Sequence, residues 1–359
     1  MATPDWVPLR DELRAFEPYG APQMRDVICL NVNENPYPLS AALADKFAEA
    51  VRAVATSLNR YPDREATELR TELAAYLGHG LAAANIWAAN GSNEVMLHIL
   101  QAFGGPGRKV LSFAPTYSMY PEYARDTHTE WVAGLRESDF TVDAKRAVAL
   151  IEAEQPDVVL LTSPNNPTGT ALPLETLEAI CQVAPGVVVA DEAYAEFRRE
   201  GTPSALELLP THRCLLVSRT MSKAFAFAGG RLGYVAAEPA IIDALRIVRL
   251  PYHLSAVTQA VALAAIRNSD ELLAKVAEIR TTRDELVEWL RAHDLQVAES
   301  DANFVLFGTF ADRHAVWEGL VDRGVLIRET GPAGWLRVSV GTPAEMETFY
   351  QALQEVLDR

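Results

Sequence analysis

Very little in this chain is available for crosslinking, membrane insertion or binding of polyanions. Three cysteines stand among 359 residues, Cys29, Cys181 and Cys214, each in an apolar stretch and none in a paired CxxC spacing. An odd number at such spacings predicts reduced, buried thiols in a cytoplasmic protein rather than a disulfide framework or a metal knot. No run of eighteen apolar residues occurs, and Met1–Phe16 carries Asp5, Asp11 and Glu12 where a signal peptide needs an unbroken apolar segment. The expectation is a cytoplasmic chain with no membrane partner. Basic residues are outnumbered 48 to 32, a net charge of −16, so the mean surface field repels nucleic acid and anionic lipid. G-x-G-x-x-G, Walker A, H-E-x-x-H and nucleophile-elbow runs are all missing, which argues against dinucleotide and nucleotide sites, a catalytic metal and a serine hydrolase. An acidic chain that acts on anions must therefore build a local cationic pocket, which draws attention to individual arginines.

What is present reads as a globular enzyme, 49% hydrophobic and 22% charged. The length favours two lobes. Residues 1 to about 30 read as an irregular arm, about 31 to 250 as a large domain, and about 251 to 359 as a smaller α+β domain. Short continuous apolar runs at Lys109–Phe113, Asp157–Thr162, Val187–Ala190, Cys214–Ser218 and Leu232–Ala236 predict strands covered on both faces. Helical stretches between them, such as Leu174–Val183, supply crossovers. The fold class expected is α/β with a mostly parallel central sheet. After Ile86–Ala89, apolar residues at Val95, Met96, Ile99, Leu100 and Phe103 keep helical spacing up to Gly104, with Ser92 as the expected N-cap.

Ligands of such sheets bind beyond the carboxyl ends of the strands. The segments found there are Ala114-Pro115-Thr116-Tyr117, Ser163-Pro164-Asn165-Asn166-Pro167-Thr168-Gly169, Asp191-Glu192-Ala193-Tyr194 and Arg219-Thr220-Met221-Ser222-Lys223. Together they supply the parts that hold pyridoxal 5'-phosphate. Lys223 is the amine for its aldehyde, Asp191 the partner of its pyridine nitrogen, Asn166 and Tyr194 donors to its phenolate oxygen, and Tyr117 a ring to stack on it. Gly91, Ser92 and Asn93 at a helix start, with Ser222 and Arg231, would take the phosphate. Singly, each has a plainer reading, as a turn, a packed ring or a surface ion pair. Their joint occurrence at the ends of several strands carries the inference.

These motifs make the chain resemble fold type I pyridoxal-phosphate aminotransferases, through residues 163–169, 191–194 and the run Ser222-Lys223 to Gly233-Tyr234. Within that superfamily it is similar to the histidinol-phosphate aminotransferase family. Pro18-Tyr19-Gly20, Leu30 to Pro36, Arg60-Tyr61-Pro62-Asp63 and Trp335 to Gly341 carry this second likeness. The resemblance implies Lys223 as the Schiff-base lysine and a homodimer with shared active sites, in which Tyr61 reaches the neighbouring subunit's cofactor phosphate. It further implies Arg337 as the carboxylate anchor for glutamate and 2-oxoglutarate, with Arg328 and Tyr19 on the phosphate of histidinol phosphate and Asn33 and Tyr252 lining the pocket. The reaction implied is transamination from L-histidinol phosphate to 2-oxoglutarate in histidine biosynthesis. An aromatic aminotransferase and a phosphothreonine decarboxylase share this frame and remain alternatives on sequence.

Overall fold

The computed structural model describes residues 4, 6–18 and 20–358. A two-residue strand β1 (Ile28–Cys29) precedes the large sheet. That sheet comprises β2 (Ile86–Ala89), β3 (Lys109–Ala114), β4 (Glu130–Leu135), β5 (Val158–Thr162), β6 (Val187–Asp191), β7 (Leu215–Thr220) and β8 (Gly233–Ala237). Their spatial order is β2-β8-β7-β6-β5-β3-β4, every neighbouring pair parallel except the two made by β8, which runs antiparallel to both β2 and β7. The mostly parallel sheet expected from the apolar runs is therefore present. The edge strand β4 was not among those runs; its apolar stretch Trp131–Leu135 is only partly covered, with Ala133 and Leu135 exposed, as its place at the sheet edge dictates.

Side-chain alternation explains why the central runs are continuous. In β5, Val158 and Leu160 pack on one side with Val95 and Ile99 of α3 (Ser92–Phe103) and Tyr120 of α4 (Met119–Asp126). Val159 and Leu161 face the other side with Ile151 and Ile180, on the crossover helices Ala144–Glu154 and Leu174–Val183. Both faces are dry, so both phases of the period-two pattern are apolar.

A second, three-stranded antiparallel sheet is formed by β9 (Gln296–Val297), β10 (Phe304–Gly308) and β12 (Leu336–Ser339), with β11 (Val325–Leu326) pairing in parallel with β1. The chain entering the large sheet is thus tied to the C-terminal strands, and the Ser339 amide donates to Leu30 O at 2.9 Å. Two helix-start details bear on the site. Gly91, not Ser92, is the N-cap of α3, with φ of 89° and no side-chain cap, so Ser92 is already helical. Gly233 opens β8 so close to this turn that a Cβ there would lie 2.1 Å from the Ser92 amide nitrogen.

Among the described residues no helix is long and apolar enough to cross a membrane. All three cysteines are free thiols, but Cys29 and Cys214 are exposed rather than buried as expected. Cys29 takes the outward phase of the short β1, and Cys214 precedes β7 before the chain enters the sheet.

Candidate active site

The strand directions decide what meets at one edge. β2, β3, β5, β6 and β7 all end there, and antiparallel β8 begins there, with Gly233 opposite both Ala89 and Thr220. A single cavity at this edge is lined by Ser92, Asn93, Tyr117, Asn166, Asp191, Tyr194, Ser222, Lys223 and Arg231 from the large domain. Asn33, Arg328 and Arg337 line it as well. Gly91 lies directly beneath, where a Cβ would come within 2.4 Å of the Arg231 guanidinium.

Lys223 follows β7 in an irregular turn, and its amine donates to Val32 O at 2.9 Å. Burial, helped by the positive charge of Arg337 and Arg231 and opposed by Glu34, pushes this amine down to about 8. A neutral amine is thereby accessible near neutral pH, as a carbonyl-directed nucleophile requires.

Asp191 ends β6 and is buried. The Tyr120 hydroxyl donates to its Oδ2 at 2.9 Å, whereas Oδ1 is enclosed without a hydrogen-bond partner among the described residues. Burial pushes the carboxyl up to about 6, against the pull of Tyr120 and the Ala193 amide. An unsatisfied buried carboxylate oxygen is costly unless something cationic or protonated meets it. The neighbouring Glu192 points the other way into a closed network with Arg219 at 2.6 Å and Arg198 at 3.2 Å.

Tyr194 is edge-on to Phe304 with ring centroids 5.1 Å apart, and its hydroxyl accepts from Asn33 Nδ2 at 3.1 Å and from Asn166 Nδ2 at 3.5 Å. The two amides fix the position of this hydroxyl at the cavity wall. Asn33 is held in turn by Ser339, whose hydroxyl accepts from the Asn33 amide and donates to its Oδ1, both at 2.9 Å.

At the opposite wall, Arg231 stands in the left-handed region at φ of 54°, a conformation that turns its side chain back over the α3 start. Its Nη1 donates to Ser222 Oγ at 3.2 Å and Ala228 O at 3.0 Å. The amides of Ser92 and Asn93 head α3, and Glu94 fixes the turn by accepting from the Asn90 amide at 2.7 Å. Guanidinium, hydroxyl and first-turn amides converge as an anion cradle.

Arg337 is buried above the Phe304 ring at 5.1 Å. It donates through Nη1 to Asn166 Oδ1 and through Nη2 to Asn31 O at 2.8 Å. Arg328 and Arg337 pair directly, each amide 2.9 Å from the other's carbonyl, so both side chains leave the same face of the ladder. Nη1 of Arg328 is buried with no hydrogen-bond partner among the described residues.

One expected pocket residue, Tyr252, does not line this cavity. Tyr61, 79% exposed, stacks on Tyr252 at 4.3 Å outside the cavity of its own chain. Tyr19 falls outside the described residues. Sequence reasoning missed Tyr120, the partner of Asp191, and the Asn166–Arg337 bond. The spacing of Tyr117 and Tyr120 across a helix start was a usable signal for the first, since it sets both rings on one side. The second joins residues 171 apart and left no local trace.

Pyridoxal phosphate can be tested against this geometry. The orphaned Asp191 Oδ1 suits a protonated ring nitrogen, the Gly91 and Arg231 cradle suits a phosphate that no Cβ obstructs, and the Lys223 amine suits an aldehyde. The donor set fits.

Comparison with known proteins agrees. The family described as "Aminotransferase class I and II" matches residues 25–353. A histidinol-phosphate aminotransferase of Thermobifida fusca is 66% identical over 97% of this chain and 95% of its own length. That of Paenarthrobacter aurescens is 56% identical over 99% of this chain and 96% of its own. Among solved structures, histidinol-phosphate aminotransferase from Sinorhizobium meliloti in complex with pyridoxal-5'-phosphate has a TM-score of 0.83 at 26% identity, covering 93% of this chain and 92% of that one. With a fold type I sheet, a lysine and an aspartate at adjoining strand ends and full-length relatives of this kind, the chain belongs to the class I and II aminotransferases and groups with the histidinol-phosphate aminotransferases.

Proposed function

We propose that this aminotransferase moves the amino group of L-histidinol phosphate to 2-oxoglutarate on pyridoxal 5'-phosphate, a step of histidine biosynthesis in the cytoplasm. The observation that carries the substrate reading is the pair Arg328 and Arg337. In a chain of net charge −16, two guanidinium groups leave one face of a strand pair into the cavity that holds Lys223, and one of them has a buried nitrogen with no hydrogen-bond partner among the described residues. Such a pair suits an anionic ligand.

When bound, the cofactor supplies an electron sink that spreads the negative charge left as the substrate's α-proton departs. Asp191 Oδ1 would hold the proton on the pyridine nitrogen. Tyr194, oriented by Asn33 and Asn166, would donate to the phenolate oxygen, and Tyr117 would cover one ring face. Ser92, Asn93, Ser222 and Arg231 clamp the phosphate. The Lys223 amine would hold the aldehyde and, when free, would carry the substrate's α-proton. Arg337 orients the carboxylate of glutamate or 2-oxoglutarate with a two-pronged bond, and Arg328 the phosphate of the alternate substrate.

The proposal includes a homodimer with shared active sites. Exposed Tyr61 and Tyr252, outside their own cavity, support service to a neighbouring subunit's site, which revises Tyr252 from a contact of its own pocket. The segregation of the two sheets supports the division into large and small domains near residue 250. Comparing kcat/KM for histidinol phosphate and phenylalanine, each with 2-oxoglutarate, tests the substrate reading. Preference for phenylalanine overturns it, and intersecting rather than parallel double-reciprocal lines overturn the two-stage mechanism.

A further inference from the structure

Two adjacent carboxylates, Asp191 and Glu192, are buried in this protein and treated in opposite ways. Glu192 is neutralised by guanidinium groups on Arg219 and Arg198, which draw its carboxyl below the ordinary range although burial alone would raise it. Asp191 meets no cation among the described residues. Its one side-chain partner is the neutral hydroxyl of Tyr120, 2.9 Å from Oδ2.

Tyr120 is fully buried, in the first turn of α4, with its amide 3.1 Å from Tyr117 O. Its ring meets that of Tyr117 edge-on, centroids 5.7 Å apart at 85°. Burial and the charge of Asp191 hold its phenol well above the usual range, so the proton stays in place at any working pH. The consequences are geometric and electrical. A carboxylate is a rigid plane, so a bond at Oδ2 directs Oδ1, the oxygen without a hydrogen-bond partner among the described residues. A neutral donor also leaves the negative charge uncompensated, which a lysine or arginine in that place would not.

We propose that Tyr120 is a positioning residue for the cofactor ring: it aims Asp191 Oδ1 at the pyridine nitrogen, preserves that carboxylate's charge, and buttresses Tyr117 against the ring face. This rests on the pyridoxal-phosphate reading above.

The substitution Tyr120→Phe removes the hydroxyl and keeps the ring. Apoprotein dissociation constants are measured by tryptophan fluorescence for pyridoxal phosphate and for its 1-deaza analogue, in which carbon replaces the ring nitrogen. The variant should bind pyridoxal phosphate about tenfold more weakly and the analogue within about twofold of wild type, because only the former uses the charge of Asp191. Equal losses with both ligands would assign Tyr120 a general structural role and overturn the proposal, as would no loss with either. Should Tyr120→Phe fail to fold, 3-fluorotyrosine at this position, a stronger donor of nearly the same shape, should instead tighten pyridoxal phosphate selectively. Unchanged affinity there overturns the proposal too. If wild type binds neither ligand, the pyridoxal-phosphate reading itself falls and this inference with it; if wild type binds pyridoxal phosphate and the selective effect is missing, only the role of Tyr120 falls.

Discussion

The Lys223 amine offers a measurement with opposite signs built in. Its environment brings it down to about 8 from the ordinary lysine value of 10.5. At pH 7 an amine titrating at 8 is neutral in about one molecule in ten, and one titrating at 10.5 in about one in three thousand, so the pocket raises the reactive fraction by about 300-fold. Capture of pyridoxal phosphate by the apoprotein, followed by stopped-flow absorbance from about pH 6 to about pH 10, should therefore accelerate about tenfold per pH unit and level off near 8. The causes after burial are charges, and they can be removed one at a time. Arg337→Gln deletes a cation facing the amine, so the protonated form becomes easier to keep, the midpoint moves up, and capture at pH 7 slows by about tenfold. Glu34→Gln deletes the anion that favours the protonated form, so the midpoint moves down and capture at pH 7 quickens. A wild-type midpoint near the ordinary lysine value, or both variants moving the same way, would refute the reasoning.

Arg337→Lys keeps the charge but loses the fork, and one of the acceptors Asn166 Oδ1 and Asn31 O is left unmatched; KM for 2-oxoglutarate should rise about tenfold or more in steady-state assays. Gly91→Ala places a methyl within 2.4 Å of the Arg231 guanidinium at a φ of 89°, so equilibrium dialysis should show pyridoxal phosphate held at least about tenfold more weakly. Arg219→Met strips Glu192 of its closest partner while leaving the cavity walls in place, and denaturant unfolding should register about 3 kcal/mol of lost stability. Tyr61→Ala should reduce cofactor affinity only in the dimer, so sedimentation and binding measured on the same dilution series should change together.

Much of the site was readable along the chain. Lys223, Asp191, Asn166 and Tyr194 each follow a continuous apolar run, and continuous runs bounded by turn residues already imply buried strands whose carboxyl ends collect ligands. Helix Leu174–Val183 and the five strand runs appeared within a residue or two of the expected places, because burial on both faces writes itself into consecutive positions. The edge strand β4 was missed although Trp131–Leu135 is apolar, and the exposed Cys29 and Cys214 show that apolar neighbours do not settle which way a side chain faces.

The sequence by itself determined the local chemistry: a glycine before a helix start, a lysine beyond a strand, an aspartate at the end of another. Tertiary structure alone decided the pairings. The antiparallel insertion of β8 carries Arg231 to the edge where Lys223 emerges. The bridge between residues 328 and 337 sets two arginines side by side on the cavity wall, and Asn33 holds Tyr194 across 161 positions. Tyr120, one more apolar ring in the sequence, becomes the sole side-chain hydrogen-bond donor to Asp191 among the described residues. Periodicity reports which face of an element is dry; it carries no information on which distant side chain completes a hydrogen bond, because that depends on strand order, and strand order is settled by how the layers pack.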